Sequence, residues 1–157
     1  MSDIHELQVT VDLRDGLSGQ ELAELRWHLG LGPEPEQLTV ITEFPFVVVD
    51  DDGNPRIENE PRALLAGSGP AWKVGGTLGS SLTARTGLPG GGWSLTSRTE
   101  LHPDDTEQVG ELLRWLAPRV HDTHVHPDGT VRLGHCRWYE DPEPYSLEVR
   151  DGQLNLP

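Results

Sequence analysis

The sequence predicts an α+β domain in which an antiparallel sheet carries two helices on one face. Three observations lead there: a strict two-residue alternation over residues 4–14, a capped helical segment directly after it, and a strand-strand-helix-strand-strand series from Trp72 onward.

The first strand is read from Leu7, Val9, Val11 and Leu13 on one side and Gln8, Thr10, Asp12 and Arg14 on the other, ending at Asp15-Gly16. Ser18 and Glu21 form a capping box. Leu22, Leu25 and Leu29 then recur at helical spacing until Gly30, Gly32 and Pro33, which predicts a helix over 18–29. Residues 33–71 read as a long crossover interrupted by six prolines, with Val47 to Val49 as an added edge strand. Asp50-Asp51-Asp52-Gly53-Asn54 has a calcium-loop look. Its glycine is misplaced, though, and the bidentate glutamate is missing, so a polar turn is expected. Trp72, Val74, Gly76, Leu78 and Leu82 predict one apolar strand face, and Trp93, Leu95 and Leu101 its hairpin partner beyond the Gly87–Gly92 turn. Pro103-Asp104-Asp105 opens a second helix whose apolar stripe is Val109, Leu112, Leu113 and Leu116, closed by Pro118. Strands over 130–140 and 145–149 complete the chain.

The order β-α-crossover-β-β-α-β-β matches the ferredoxin-like split β-α-β sandwich. At 157 residues it predicts one domain, 1–157, with 33–71 as the crossover. A scaffold of this kind hosts binding modules and enzymes alike, so function has to be read from side chains.

The chain carries 26 acidic and 12 basic residues, a net charge of −14. Its mean hydropathy is −0.48 and its pI about 4.7. Nucleic-acid binding through phosphates is disfavoured, because that affinity rests on clustered Lys and Arg. A basic protein partner is the better expectation, against the plainer view that acidic residues only keep the chain in solution. No segment approaches the roughly 20 apolar residues of a membrane span, and MSDIHELQV lacks a secretory leader's basic and apolar regions, so a cytoplasmic location is expected. The single cysteine, Cys136, excludes an internal disulfide and fits a reducing compartment. Lys73 is the one lysine beside eleven arginines, a bias that reads as codon pressure in a high-GC bacterial genome.

His121, His124 and His126 form H-x-x-H-x-H, with His135 on the following strand. Imidazoles so grouped are candidate ligands for a transition metal, and a turn at Pro127–Gly129 brings His135 alongside His124 and His126. Solvated loop histidines are the plainer reading, since the spacing matches no zinc signature. Cys136 has the strand parity of Gly134 and Trp138, opposite to His135, which predicts a buried thiol rather than a nucleophile. Glu140, Asp141 and Glu143 stand beside Trp138 and Tyr139 in an Asp-Pro-Glu-Pro turn, where solvated acids are expected ahead of a paired-carboxylate site. No Walker loop, G-x-G-x-x-G or G-x-S-x-G is present, and the chain leans away from an enzyme.

Five tryptophans accompany two tyrosines and two phenylalanines. Trp72 and Trp93 fit apolar strand faces. Trp27 and Trp115 fall beside the leucine stripes and, with the acids Glu140 and Asp141, are the candidate partner-binding residues. The block from Leu95 to Val149, with Thr99-Glu100-Leu101, Leu113 to Pro118, Leu133-Gly134 and Arg137 to Asp141, resembles the carboxy-terminal half of small uncharacterised bacterial proteins. That resemblance implies no activity and no site residues.

The leading expectation is therefore a non-catalytic acidic binding protein for a basic protein partner, of the immunity or antitoxin kind. One alternative is a metal-binding protein or metalloenzyme using His121, His124, His126 and His135. Another is a homo-oligomeric small-molecule binder or enzyme with the crossover as its lid.

Overall fold

The alternation over 4–14 becomes the central strand of the sheet in the computed structural model, which describes residues 3–157. Met1 and Ser2, the first residues of the segment inspected for a leader, lie outside the described residues. The elements in order are β1 (His5–Leu13), α1 (Gly19–His28), β2 (Pro45–Val49), β3 (Pro55–Asn59), β4 (Gly69–Pro70), β5 (Thr77–Ala84), β6 (Trp93–Leu101), α2 (Thr106–Leu116), β7 (Val131–Trp138), β8 (Tyr145–Arg150) and β9 (Gln153–Leu154). The architecture is α+β. Seven strands lie in the order β4-β5-β6-β1-β7-β8-β9, each described pair antiparallel, and β2 and β3 form a separate two-stranded sheet.

Leu7, Val9, Val11 and Leu13 of β1 are buried in one cluster with Leu25 and Leu29 of the α1 region and Val109, Leu112, Leu113 and Leu116 of α2. Both helices therefore cover the odd-numbered face of β1. The even-numbered face, with Gln8, Thr10 and Asp12, is left without a helical layer. Ser18 caps α1 as expected: its hydroxyl accepts from the Glu21 amide, and the Glu21 carboxylate accepts from the Ser18 amide, each at 3.0 Å.

Irregular segments are pinned by carboxylates that sequence periodicity does not reveal. Glu24 is fully buried, and its carboxylate accepts from the amides of Thr39 (2.5 Å), Val40 (2.7 Å) and Ile41 (3.0 Å). Glu100 likewise accepts from the amides of Trp72, Lys73 and Val74 at 2.8, 2.6 and 3.3 Å. Desolvation raises its pKa, but the three amides outweigh that and hold the carboxyl below its ordinary value.

Two expectations are corrected here. Val47–Val49 is not an edge strand of the main sheet. It pairs with β3, because Asp50 closes the chain on itself by accepting from the amides of Asp52 (3.0 Å) and Asn54 (2.8 Å); the polar turn expected at 50–54 is present. Trp72 is not on an apolar strand face: β5 starts only at Thr77, and the Glu100 contacts hold residues 72–74 in a turn that leaves Trp72 70% exposed. Lys73 Nζ lies 4.9 Å from the centre of its ring.

The other unforeseen feature is a β-bulge. Between Arg132 and Gly134 the pairing of β7 with β8 shifts by one residue, so Leu133 and Gly134 are both buried while Arg132 is exposed and His135 half-exposed. Gly134 is required there. A Cβ on it would lie 1.8 Å from the backbone oxygen of Gln8 in β1.

Candidate functional site

Two places on the molecule are unusual, and the first gathers predicted histidines. After α2 the chain runs back along β1: His121 donates its amide to the Asp12 carbonyl (2.9 Å), and the Asp12 amide donates to His124 Nε2 (2.9 Å). His124, His126 and His135 then line one depression on the uncovered sheet face together with Gln8, Thr10 and Arg132, with a volume of about 430 Å³. His121 lies apart. Its Nε2 accepts from Arg85 Nη1 (2.8 Å), and Arg85 also donates to the carbonyls of Pro89 and Gly91, clasping the glycine turn.

Among the described residues, no three His, Cys, Asp or Glu side chains converge in a way that would hold a metal ion. His124 Nε2 accepts from a backbone amide, and His135 Nε2 accepts from Arg132 Nη2 at 2.8 Å. In each contact the ring nitrogen accepts, because its partner, a backbone amide or a guanidinium, can only donate. Partial burial holds His124 below its ordinary pKa, with His121 and Arg85 adding to the effect against the opposing pull of Asp12. The contact to Asp12 is through its amide and not its carboxylate, so no Asp-His catalytic pair is formed.

Cys136 is 1% exposed, and burial pushes its thiol pKa up, the inert state expected from its parity. Glu140 and Asp141 lie exposed in the turn after β7, whose carbonyls at Tyr139 and Asp141 accept from Arg137 Nη1 at 3.1 and 3.0 Å. Trp115 is half-buried against the core beneath Arg119, 4.2 Å from guanidinium carbon to ring centre. Trp27 is half-buried between His28 and Phe44, with ring centres 4.8 and 6.4 Å away.

Phe44 leads to the second place. It is fully buried at the root of the β2–β3 hairpin, its amide donates to Asn59 Oδ1 (2.7 Å), and its carbonyl accepts from the Glu60 amide (2.9 Å). Arg62 locks the far side through Asp105, 2.6 Å away. Above this anchored root the hairpin stands clear of the core. Its register puts Pro45, Val47, Val49, Pro55 and Ile57 on one face, and Phe46, Val48, Arg56 and Glu58 on the other. Val47, Val49 and Ile57 are 62, 68 and 73% exposed. The second face carries the Arg56–Glu58 ion pair at 2.7 Å. Residues 43–60 contain six acids (Glu43, Asp50, Asp51, Asp52, Glu58 and Glu60) and one base, Arg56.

From the sequence this segment reads as a long crossover with an edge strand at Val47 to Val49, with no docking face assigned to it. Val47 to Val49 reads as a strand in an apolar run, but a free apolar face cannot be read without knowing what packs on it. Among the described residues no helix is long and apolar enough to cross a membrane. In comparisons with known proteins, the chain matches no family model, no curated protein and no solved structure.

Proposed function

We propose that the chain is a non-catalytic binding protein that docks a basic protein partner through the apolar face of the β2–β3 hairpin. The observation that carries this reading is the placement of Val47, Val49 and Ile57 together on one uncovered sheet face bordered by acids. Covering three such side chains returns on the order of 4 kcal/mol before association costs. The buried Phe44 root and the Arg62–Asp105 pair pre-organise the element, so little ordering entropy is spent on docking. The six acids around one arginine select the partner: Lys and Arg beside an apolar patch gain from that field, whereas a second copy of the hairpin is repelled by it.

Trp27, from the expected partner-binding set, belongs to this reading through its packing on Phe44. Trp115, Glu140 and Asp141 are further surface contacts for a larger partner. A ferredoxin-like topology for the scaffold is supported by the order β5-β6-β1-β7 with antiparallel neighbours, the order a split β-α-β unit requires, β8 and β9 extending one edge and β4 the other. A reducing compartment such as the cytoplasm fits the buried free thiol of Cys136.

The test compares the chain and its Val47→Thr/Ile57→Thr variant as baits in extract of the producing cells, at low and high salt. The reading expects a basic protein held by the native chain alone and released by salt, and re-forming the complex when purified. Identical captures by both baits would overturn it.

A further inference from the structure

A second depression lies away from the hairpin, on the even-numbered face of β1 in the seven-stranded sheet. We propose that the depression lined by Arg132, His124 and His135 binds a small molecule bearing a phosphate monoester.

Three observations support this. First, the lining is rich in donors: the Arg132 guanidinium spends one Nη2–H on His135 and keeps its others, Gln8 and Thr10 add an amide and a hydroxyl, and the imidazoles of His124 and His135 border the same space. Second, no Asp or Glu lines it, whereas each of the four other described depressions has at least one. In a chain with 26 acids that is a local inversion of the overall charge. Third, Arg132 makes no ion pair among the described residues. Its cross-strand neighbour Glu148 accepts instead from Ser146 Oγ at 3.1 Å, and Arg132 Nη2 contacts His135 Nε2 rather than a carboxylate. An arginine with no carboxylate partner keeps its charge for an incoming oxyanion.

The bulge is what assembles the set. Without the extra residue at Leu133, Arg132 and His135 would fall on opposite faces of β7. The volume of about 430 Å³ exceeds what free phosphate needs and suits a phosphorylated metabolite-sized molecule. The net charge of −14 opposes any anion at long range, but that field is screened over about 10 Å in ordinary salt.

The test is an NMR titration of the whole labelled chain with phenyl phosphate, against sodium chloride at matched ionic strength, with zinc chloride as a second arm. The expected result is saturable shifts centred on the Gln8, Thr10, Gly134 and His135 amides. Arg132→Gln should weaken binding about tenfold, the loss of one charge-assisted contact, while Arg114→Gln on the helical side leaves it unchanged. The dispersed spectrum of each variant reports that it is folded. Shifts that follow ionic strength alone, unchanged binding by folded Arg132→Gln, or zinc saturating the same amides while phenyl phosphate does not, would each overturn the proposal.

Discussion

Val47 stands directly opposite Ile57 in the two-stranded sheet, and both side chains are more than three-fifths exposed on the same face. Cross-strand pairs of β-branched residues normally stabilise a sheet by being covered. Here the pair is held up by a root, Phe44, that is itself fully buried. Stability and surface chemistry are thus assigned to different residues of one hairpin.

The separation has a measurable consequence. Val47→Thr/Ile57→Thr keeps β-branched side chains and touches nothing buried, so thermal unfolding should change by no more than about 0.5 kcal/mol. Phe44→Ala empties a buried site and should cost about 3–5 kcal/mol. Equal losses in the two variants would mean that the apolar face is covered within the folded chain.

The Glu24 carboxylate should behave as a structural clamp. Glu24→Gln leaves one fewer strong acceptor for the amides of Thr39, Val40 and Ile41, at a cost of about 2 kcal/mol. Hydrogen exchange at those three amides should accelerate more than at the β1 amides. Uniform acceleration would instead indicate loss of global stability alone.

His28 makes stability pH-dependent. It is fully buried, burial pushes its pKa down to about 4 against the raising influence of Glu24, and its Nε2 has no hydrogen-bond partner. The folded state keeps the ring neutral while the unfolded state protonates near the ordinary value of about 6.5, so the unfolded chain binds more protons between these limits. Stability should therefore fall by about 3 kcal/mol as pH drops from about 6.5 to about 4. Denaturant unfolding across that window reads the slope, and His28→Gln should flatten it; an unchanged slope in the variant would assign the effect elsewhere.

Gly134→Ala tests the bulge. The new Cβ meets the Gln8 carbonyl oxygen at 1.8 Å, and β7 cannot stay in register with β1. A loss above about 3 kcal/mol is expected by circular-dichroism melts, more than ordinary overpacking costs. A near-native melting curve would show that the two strands separate there without penalty.

Much of the frame was legible because periodicity reports burial on regular elements. Ser18 with Glu21, the odd-numbered face of β1 and the Val109 to Leu116 stripe all fold as read. What escaped depends on side chains that fix irregular backbone at a distance. Nothing local to Trp72 announces that Glu100 will hold its amide, and the two-residue rule breaks silently at Leu133. The histidines were recognised as a group, and His124, His126 and His135 do share a depression. The partners of two of them were hidden: His124 Nε2 meets the Asp12 amide and His135 Nε2 meets Arg132. The hairpin's free face was invisible for a related reason: exposure is a property of what fails to pack, and no residue encodes it alone.

Photo-cross-linking from position 47, with position 114 on the exposed side of α2 as the control, tests docking through the hairpin most directly. In extract of the producing cells, the account predicts cross-links from position 47 to one basic protein that disappear at high salt and are absent from position 114. Equal labelling from both positions, or labelling from position 47 only to a second copy of the chain, would contradict it.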